Sequence, residues 1–145
     1  MLAQILAGTT VSVLNIVIHA TVMTAVVQAV HAVSAKHTSH PQMRLTAVMI
    51  AAVTILMAAH ACEVFVWATS YLILDASPVR ANFMYFAFVN YTTLGYGDIT
   101  PTQQWLLLGP MTAMNGVLMF GWSTAVIFEI LRKTMAAAPP AAAAA

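Results

Sequence analysis

The residues richest in chemistry are Asn90-Tyr91-Thr92-Thr93-Leu94-Gly95-Tyr96-Gly97-Asp98, and the chemistry is that of the main chain. A short apolar stretch, Ala81–Thr92, predicts a helix, and two glycines at alternate positions predict extended backbone after it. Glycine accepts positive φ readily, whereas ordinary residues such as Leu94 and Tyr96 avoid it. Alternating the two kinds turns successive carbonyls to one side and the side chains to the other. Buried carbonyls without partners cost several kcal/mol each. A row of them aimed at one axis is satisfied by a dehydrated cation. The Thr93 hydroxyl adds one more oxygen at the inner end, and the partially negative C-terminus of the short helix favours a cation there.

The elements that must position this segment belong to a membrane. Of 145 residues, 61% are apolar and only 6% charged, against roughly 25% charged in an ordinary soluble domain. A disordered chain would be apolar-poor. The net charge of +1 offers no basic patch and excludes a nucleic-acid binder. Leu2–Val33, Leu45–Leu74 and Trp105–Leu131 each exceed the roughly 20 residues that cross a bilayer. Ala81–Thr92 reaches only about 18 Å as a helix and cannot span. A short helix followed by glycine-rich backbone between two spans reads as a re-entrant segment, which survives at membrane depth only inside protein or along a polar cavity. The fold expected is therefore an all-α membrane protein with three transmembrane helices and a re-entrant loop between the second and third.

Lys36 and Arg44 flank one polar run, and Arg132-Lys133 ends the last span. With these four inside and Arg80 outside, the positive-inside rule puts the N-terminus outside and the C-terminus in the cytoplasm. The divisions expected are a first span at 1–33, a cytoplasmic loop at 34–44, a unit at 45–133 and a low-complexity tail at 134–145, Ala and Pro only from Ala136 on. Within the unit lie an outer helix 45–74, a short helix 81–92, the extended segment 93–97 and an inner helix 105–132. Trp67, Tyr71 and Trp105 fall near the outer interface, where Tyr71 and Trp105 read as anchors.

Thr92-Thr93-Leu94-Gly95-Tyr96-Gly97-Asp98 closely resembles the signature sequence of potassium channels, with Leu where many members have Val. The resemblance covers roughly Leu45–Arg132 and is to the two-helix pore module of small bacterial ion channels. It implies a selectivity filter in which carbonyls of Thr93, Leu94, Gly95 and Tyr96 replace the hydration shell of K+, with Gly97 completing the filter and Asp98 at the outer mouth. It implies four copies of the chain around one axis in a bacterial inner membrane, bathed by lipid, with K+ as the permeant ion and no organic cofactor. The family also carries a glycine near Gly116, discussed as a hinge. Close helix packing is the other reading of Gly116. Val117, Phe120, Thr124 and Phe128 share a helical face that reads as pore-lining, with Phe128 a hydrophobic constriction. That face packed on the second span is the alternative. Gly121 would allow close approach on a neighbouring face.

Glu63 lies about 28 Å along its span from Arg44, near the level of the filter. Intramembrane acids are expensive and usually functional, so Glu63 is read as filter support, standing in for the Trp or acid that many family members place on the pore helix. His60, three residues earlier, can pair with it, and imidazole chemistry adds a proton-sensing reading. Asn15 and His19 share a face and are expected to hydrogen-bond toward neighbouring helices. Asn115 could face the cavity or the pore helix. Glu129 is expected to pair with Arg132 or Lys133 along its helix, an acidic ring at the inner mouth being the alternative. His31, His37 and His40 could hold a metal, although a solvated loop explains them as well. Cys62 is expected to be a small buried hydrophobe, and as the single cysteine it rules out an intrachain disulfide. The ten methionines are read as packing filler. No span carries repeated arginines, no sensor domain is expected after the inner helix, and no nucleophile–base pair argues for an enzyme. Two other classes keep the same loop: a subunit of a cation transporter, and a non-conducting regulatory membrane protein.

Overall fold

The first span carries ten polar residues before Val33, yet it is one uninterrupted helix, α1 (Leu2–Ser34). In hydrocarbon a hydroxyl must find an acceptor, and the helix supplies it. Thr10, Thr21 and Thr24 each donate to the carbonyl four residues back at 2.8 Å. The computed structural model describes residues 1–34, 40–78 and 82–136. Lys36, His37, Arg80 and the tail from residue 137 on lie outside them.

After α1 come α2 (Pro41–Ile73), the short α3 (Phe83–Tyr91), a 3-10 turn (Gln103–Trp105) and α4 (Leu108–Ala136). Among the described residues there is no strand. Three helical stretches, Leu2–Val33, Pro41–Ile73 and Gln103–Ala136, are long and apolar enough to cross a membrane. The all-α class with three spans and a short intervening helix is therefore observed. At 33 residues, α2 runs about 50 Å, well beyond a hydrocarbon core of about 30 Å. Its first turn starts four residues before the expected Leu45, because Pro41 sits at the helix start, where its fixed φ is already helical and its missing N–H costs nothing.

Helix direction is fixed by contacts at both ends. Gln4 Oε1 accepts from the Leu107 N–H at 2.9 Å, and Lys133 Nζ donates to His31 Nε2 at 2.8 Å. So α1 and α4 run the same way and α2 runs against them. α1 packs on both α2 and α4, and α3 is held between α2 and α4. The main core surrounds α3 with Trp67, Tyr71, Phe86, Tyr91, Leu108 and Met119, while a smaller one joins Val26, Val30, Ala52 and Ile130 toward the Lys133 end.

Trp67 and Tyr71 are fully buried, which corrects the interfacial reading of Tyr71. Each has a polar partner inside the protein: the Trp67 indole donates to Asn115 Oδ1 at 3.0 Å, and the Tyr71 hydroxyl lies 2.5 Å from Thr112 Oγ1. Trp105 is half-buried against the same core. Cys62 is exposed, not buried. It shares a shallow apolar hollow with Phe65, Met84 and Phe88 on the outer side of α2 and α3. An apolar solvent removes the reason for a small hydrophobe to turn inward.

Candidate functional site

The site begins where α3 stops. Thr92 ends the helix in αR and Thr93 flips to φ +60. The Leu94 N–H then reaches back to the Val89 carbonyl and the Thr93 N–H to the Asn90 carbonyl, both at 3.0 Å. This double closure satisfies orphan carbonyls of the last turn. α2 ends the same way through Asp75 at φ +50, with Ala76 N–H to Tyr71 O and Asp75 N–H to Leu72 O. Aspartate tolerates the left-handed region, whereas a β-branched residue there is a true outlier.

Beyond Thr93 the signs of φ alternate. Gly95 lies at +57 and Gly97 at +77, while Leu94 and Tyr96 remain negative. The glycines behave as their lack of a side chain allows, and Thr93 extends the pattern by a residue that composition does not favour. The Gly95 N–H also bonds back to Val89 O at 3.4 Å. Among the described residues, no donor reaches the carbonyls of Thr93, Leu94, Gly95, Tyr96 or Gly97. All of these residues are exposed within the single chain. The arrangement is a strand of acceptors whose leading amides are consumed behind it, which suits a cation and not an anion.

The short helix braces both ends of this strand. The Tyr85 hydroxyl donates to Asp98 Oδ2 at 2.7 Å, and Asp98 Oδ1 accepts the Ile99 N–H at 3.1 Å. The bond to Asp98 raises the Tyr85 phenol above its ordinary pKa. Sequence reasoning missed this pair, thirteen positions apart. Asn90 Nδ2 donates to Phe86 O at 3.0 Å and to the Tyr71 hydroxyl at 3.5 Å. Tyr96 is largely exposed within its own subunit.

Behind the end of α3 lies a buried polar cluster. Glu63 is fully buried. Its Oε1 is 2.7 Å from His19 Nδ1, its Oε2 is 3.3 Å from His60 Nδ1, and Oε2 also accepts a short hydrogen bond from the Tyr91 hydroxyl. His60 Nδ1 is 3.0 Å from that hydroxyl and its Nε2 is 2.9 Å from Ser123 Oγ, which lies 3.4 Å from His19 Nε2. Asn15 Nδ2 donates to Asn115 Oδ1 at 3.0 Å and to the Glu63 carbonyl at 3.3 Å. Asn115 thus faces α1 and α2, neither the cavity nor α3. His19, His60 and Glu63 are ligand types gathered within 4.8 Å. The 2.7 Å contact between His19 and Glu63 is a hydrogen-bond length, shorter than the edge of about 3.3 Å that metal bonds of about 2.0–2.1 Å set in a tetrahedron. The trio is spaced for protons.

On α4, Val117, Phe120, Thr124 and Phe128 are all exposed on the single chain. The Phe120 ring also touches His60 and Tyr91, with centroids at 4.7 and 5.4 Å. Gly116 is buried, and a Cβ there would land on the Tyr91 carbonyl, so close packing is the reading of Gly116 that has contacts behind it. Gly121 has nothing within 4 Å of a Cβ in its own subunit. Glu129 pairs with Arg132 at 2.8 Å and Lys133 at 3.0 Å. Of the three histidines that could hold a metal, His31 lies in the last turn of α1 and is bonded to Lys133, and His37 lies outside the described residues.

No curated protein and no solved structure matches the chain. The sequence pattern of the ion channel family matches residues 59–133. That stretch is just over half of the chain. It opens one residue before His60, takes in α3 and the acceptor strand, and closes at Lys133. The chain is therefore an integral membrane protein that belongs to the ion channel family.

Proposed function

We propose that four copies of this chain surround one axis and pass K+ passively through rings of carbonyls from Thr93, Leu94, Gly95 and Tyr96, with Gly97 completing the filter. The observation that carries this reading is the alternation of φ over Thr93–Gly97, with carbonyls that receive no donor among the described residues. One chain supplies one side of such a ring, and a dehydrated ion needs several. Asp98, held by Tyr85, puts a carboxylate at the outer mouth. Val117, Phe120, Thr124 and Phe128 line the path below, Phe128 narrowing it. Glu63 supports the filter from behind through Tyr91, two residues before Thr93. The chain lies in a bacterial inner membrane with its N-terminus outside and its Arg132-Lys133 end in the cytoplasm.

The test is reconstitution in liposomes under opposed K+ and Na+ gradients. A selective channel gives a potential that follows the K+ gradient and a flux that does not require Na+. Equal permeability rejects the selectivity, and coupled, saturable flux places the chain among transporters.

A further inference from the structure

The buried cluster joins α1 to a pore unit that otherwise needs only α2, α3 and α4, and its hydrogen bonds count protons. Glu63 as a carboxylate only accepts, so His19 Nδ1 and His60 Nδ1 must both donate to it. A neutral imidazole has one N–H, which leaves both Nε2 atoms as bare lone pairs. Ser123 faces both of them and has a single hydroxyl proton. The shorter contact, 2.9 Å, takes that proton to His60. His19 Nε2 then meets the Ser123 oxygen lone pair to lone pair at 3.4 Å. One further proton removes the conflict: the His19 Nε2–H donates to Ser123, and Ser123 donates to His60. The same count holds if the proton sits on Glu63 and is shared back to His19 across their 2.7 Å bond. Either way the charge of the cluster is zero, which a site this buried favours.

We infer that the His19–Glu63 pair holds this one extra proton, and that α1 is thereby a working part of the filter support: His19 is a positioning residue that lets Glu63 hold Tyr91 at the end of α3. Removing the proton leaves a net negative charge in the core and an unmatched lone pair, so the support loosens at alkaline pH. The groups that face the pair are few. α2 contributes His60 and α3 contributes Tyr91. α4 contributes Ser123 and the Trp122 ring, 5.2 Å from His19. Asn15, Asn115 and Trp67 extend the network without titrating. Cys62 is on the exposed side of α2.

The inference rests on the channel reading for its effect on flux but not for the proton itself, so two readouts separate them. The first is nitrogen NMR of histidine-labelled protein in lipid, with His19 assigned by its loss in His19→Asn. The expected spectrum has His19 Nε2 protonated at neutral pH, while the His60 proton is on Nδ1, and it loses the His19 Nε2 proton as pH rises. A His19 with a bare Nε2 at neutral pH overturns the inference whether or not the protein conducts. The second is K+ flux against pH. Wild type is expected to lose flux at least fivefold on the alkaline side. His19→Asn keeps a donor for Glu63 but cannot titrate, and is expected to retain part of the neutral-pH flux with a flat alkaline limb. His19→Leu, which removes the donor, is expected to lose flux at least tenfold. An alkaline loss that persists in His19→Asn overturns the regulatory half. Should His19→Leu fail to assemble, the Asn variant and the spectrum still decide.

Discussion

Two polar regions meet at Tyr91 and are finished in opposite ways. In front of it, the carbonyls of Thr93–Gly97 receive no donor among the described residues, and the segment is exposed. Behind it, the side chains of His19, His60, Glu63 and Ser123 are bonded to one another across three helices. Both regions lie in a chain with very few charges, where an unsatisfied polar group is costly. The difference sets acceptors left open against acceptors used up within the protein. The front keeps its acceptors open by spending a left-handed conformation on Thr93, Gly95 and Gly97. The rear has no such strain and locks the last turn of α3 from behind.

The comparison breaks most sharply at Gly95. A Cβ there meets only the Thr93 carbonyl at an ordinary 3.8 Å, so the cost of Gly95→Ala is conformational. It amounts to about 1–2 kcal/mol for each chain, and in the proposed assembly every copy bears it. K+ flux in liposomes is expected to fall at least a hundredfold while the assembled protein keeps its size on a gel. Wild-type flux in this variant would remove the front region from conduction altogether.

Glu63→Gln tests the rear. Loss of a charge-assisted partner in a buried network costs about 1.5–3 kcal/mol. Current decay under sustained conduction is expected to quicken about tenfold, with K+ selectivity retained in the initial current. Unchanged currents would reduce the cluster to helix packing. Gly116→Ala presses on the same turn from α4, since the new methyl lands on the Tyr91 carbonyl. Overpacking of this kind costs about 1–3 kcal/mol. It should appear as a lower temperature of heat-driven subunit dissociation. An unshifted midpoint would show that α4 carries no close contact there.

Tyr85→Phe gives the smallest effect. It removes one solvent-exposed hydrogen bond from the carboxylate of Asp98, a weak interaction once water competes for both groups. Single-channel conductance at low K+ is expected to change less than threefold. A complete loss of conduction would mean that Tyr85, and not the backbone, shapes the front.

What could be read from the sequence was local. The short helix, the two glycines and the order of spans follow from residues within a few positions of one another, and helix ends moved by about a turn or less, α2 beginning at Pro41 instead of Leu45 and α4 covering Leu108–Ala136 instead of 105–132. The pairing of His60 with Glu63 was legible as an i,i+3 contact. The partners Asn15–Asn115 and Tyr85–Asp98 were not, because no periodicity links positions so far apart. A signal existed even so. Polar residues at one depth in three apolar spans, Asn15 and His19, His60 and Glu63, Asn115 and Ser123, have nowhere to go but to each other. Thr93 in the left-handed region had no signal, since a β-branched residue argues against it. The reading of Tyr71 as an interfacial anchor failed because an aromatic near the end of a span looks the same from either side until a partner such as Thr112 is seen.

Locating the ion tests the carbonyl rings themselves. The assembled protein, prepared in lipid with Tl+ replacing K+ and imaged at high resolution, should hold a line of heavy density on a four-fold axis, each position ringed by carbonyls from Thr93 to Tyr96. Density absent from that line, with the same carbonyls bonded inside their own subunit or the copies sharing no axis, would show that these carbonyls do not carry the ion.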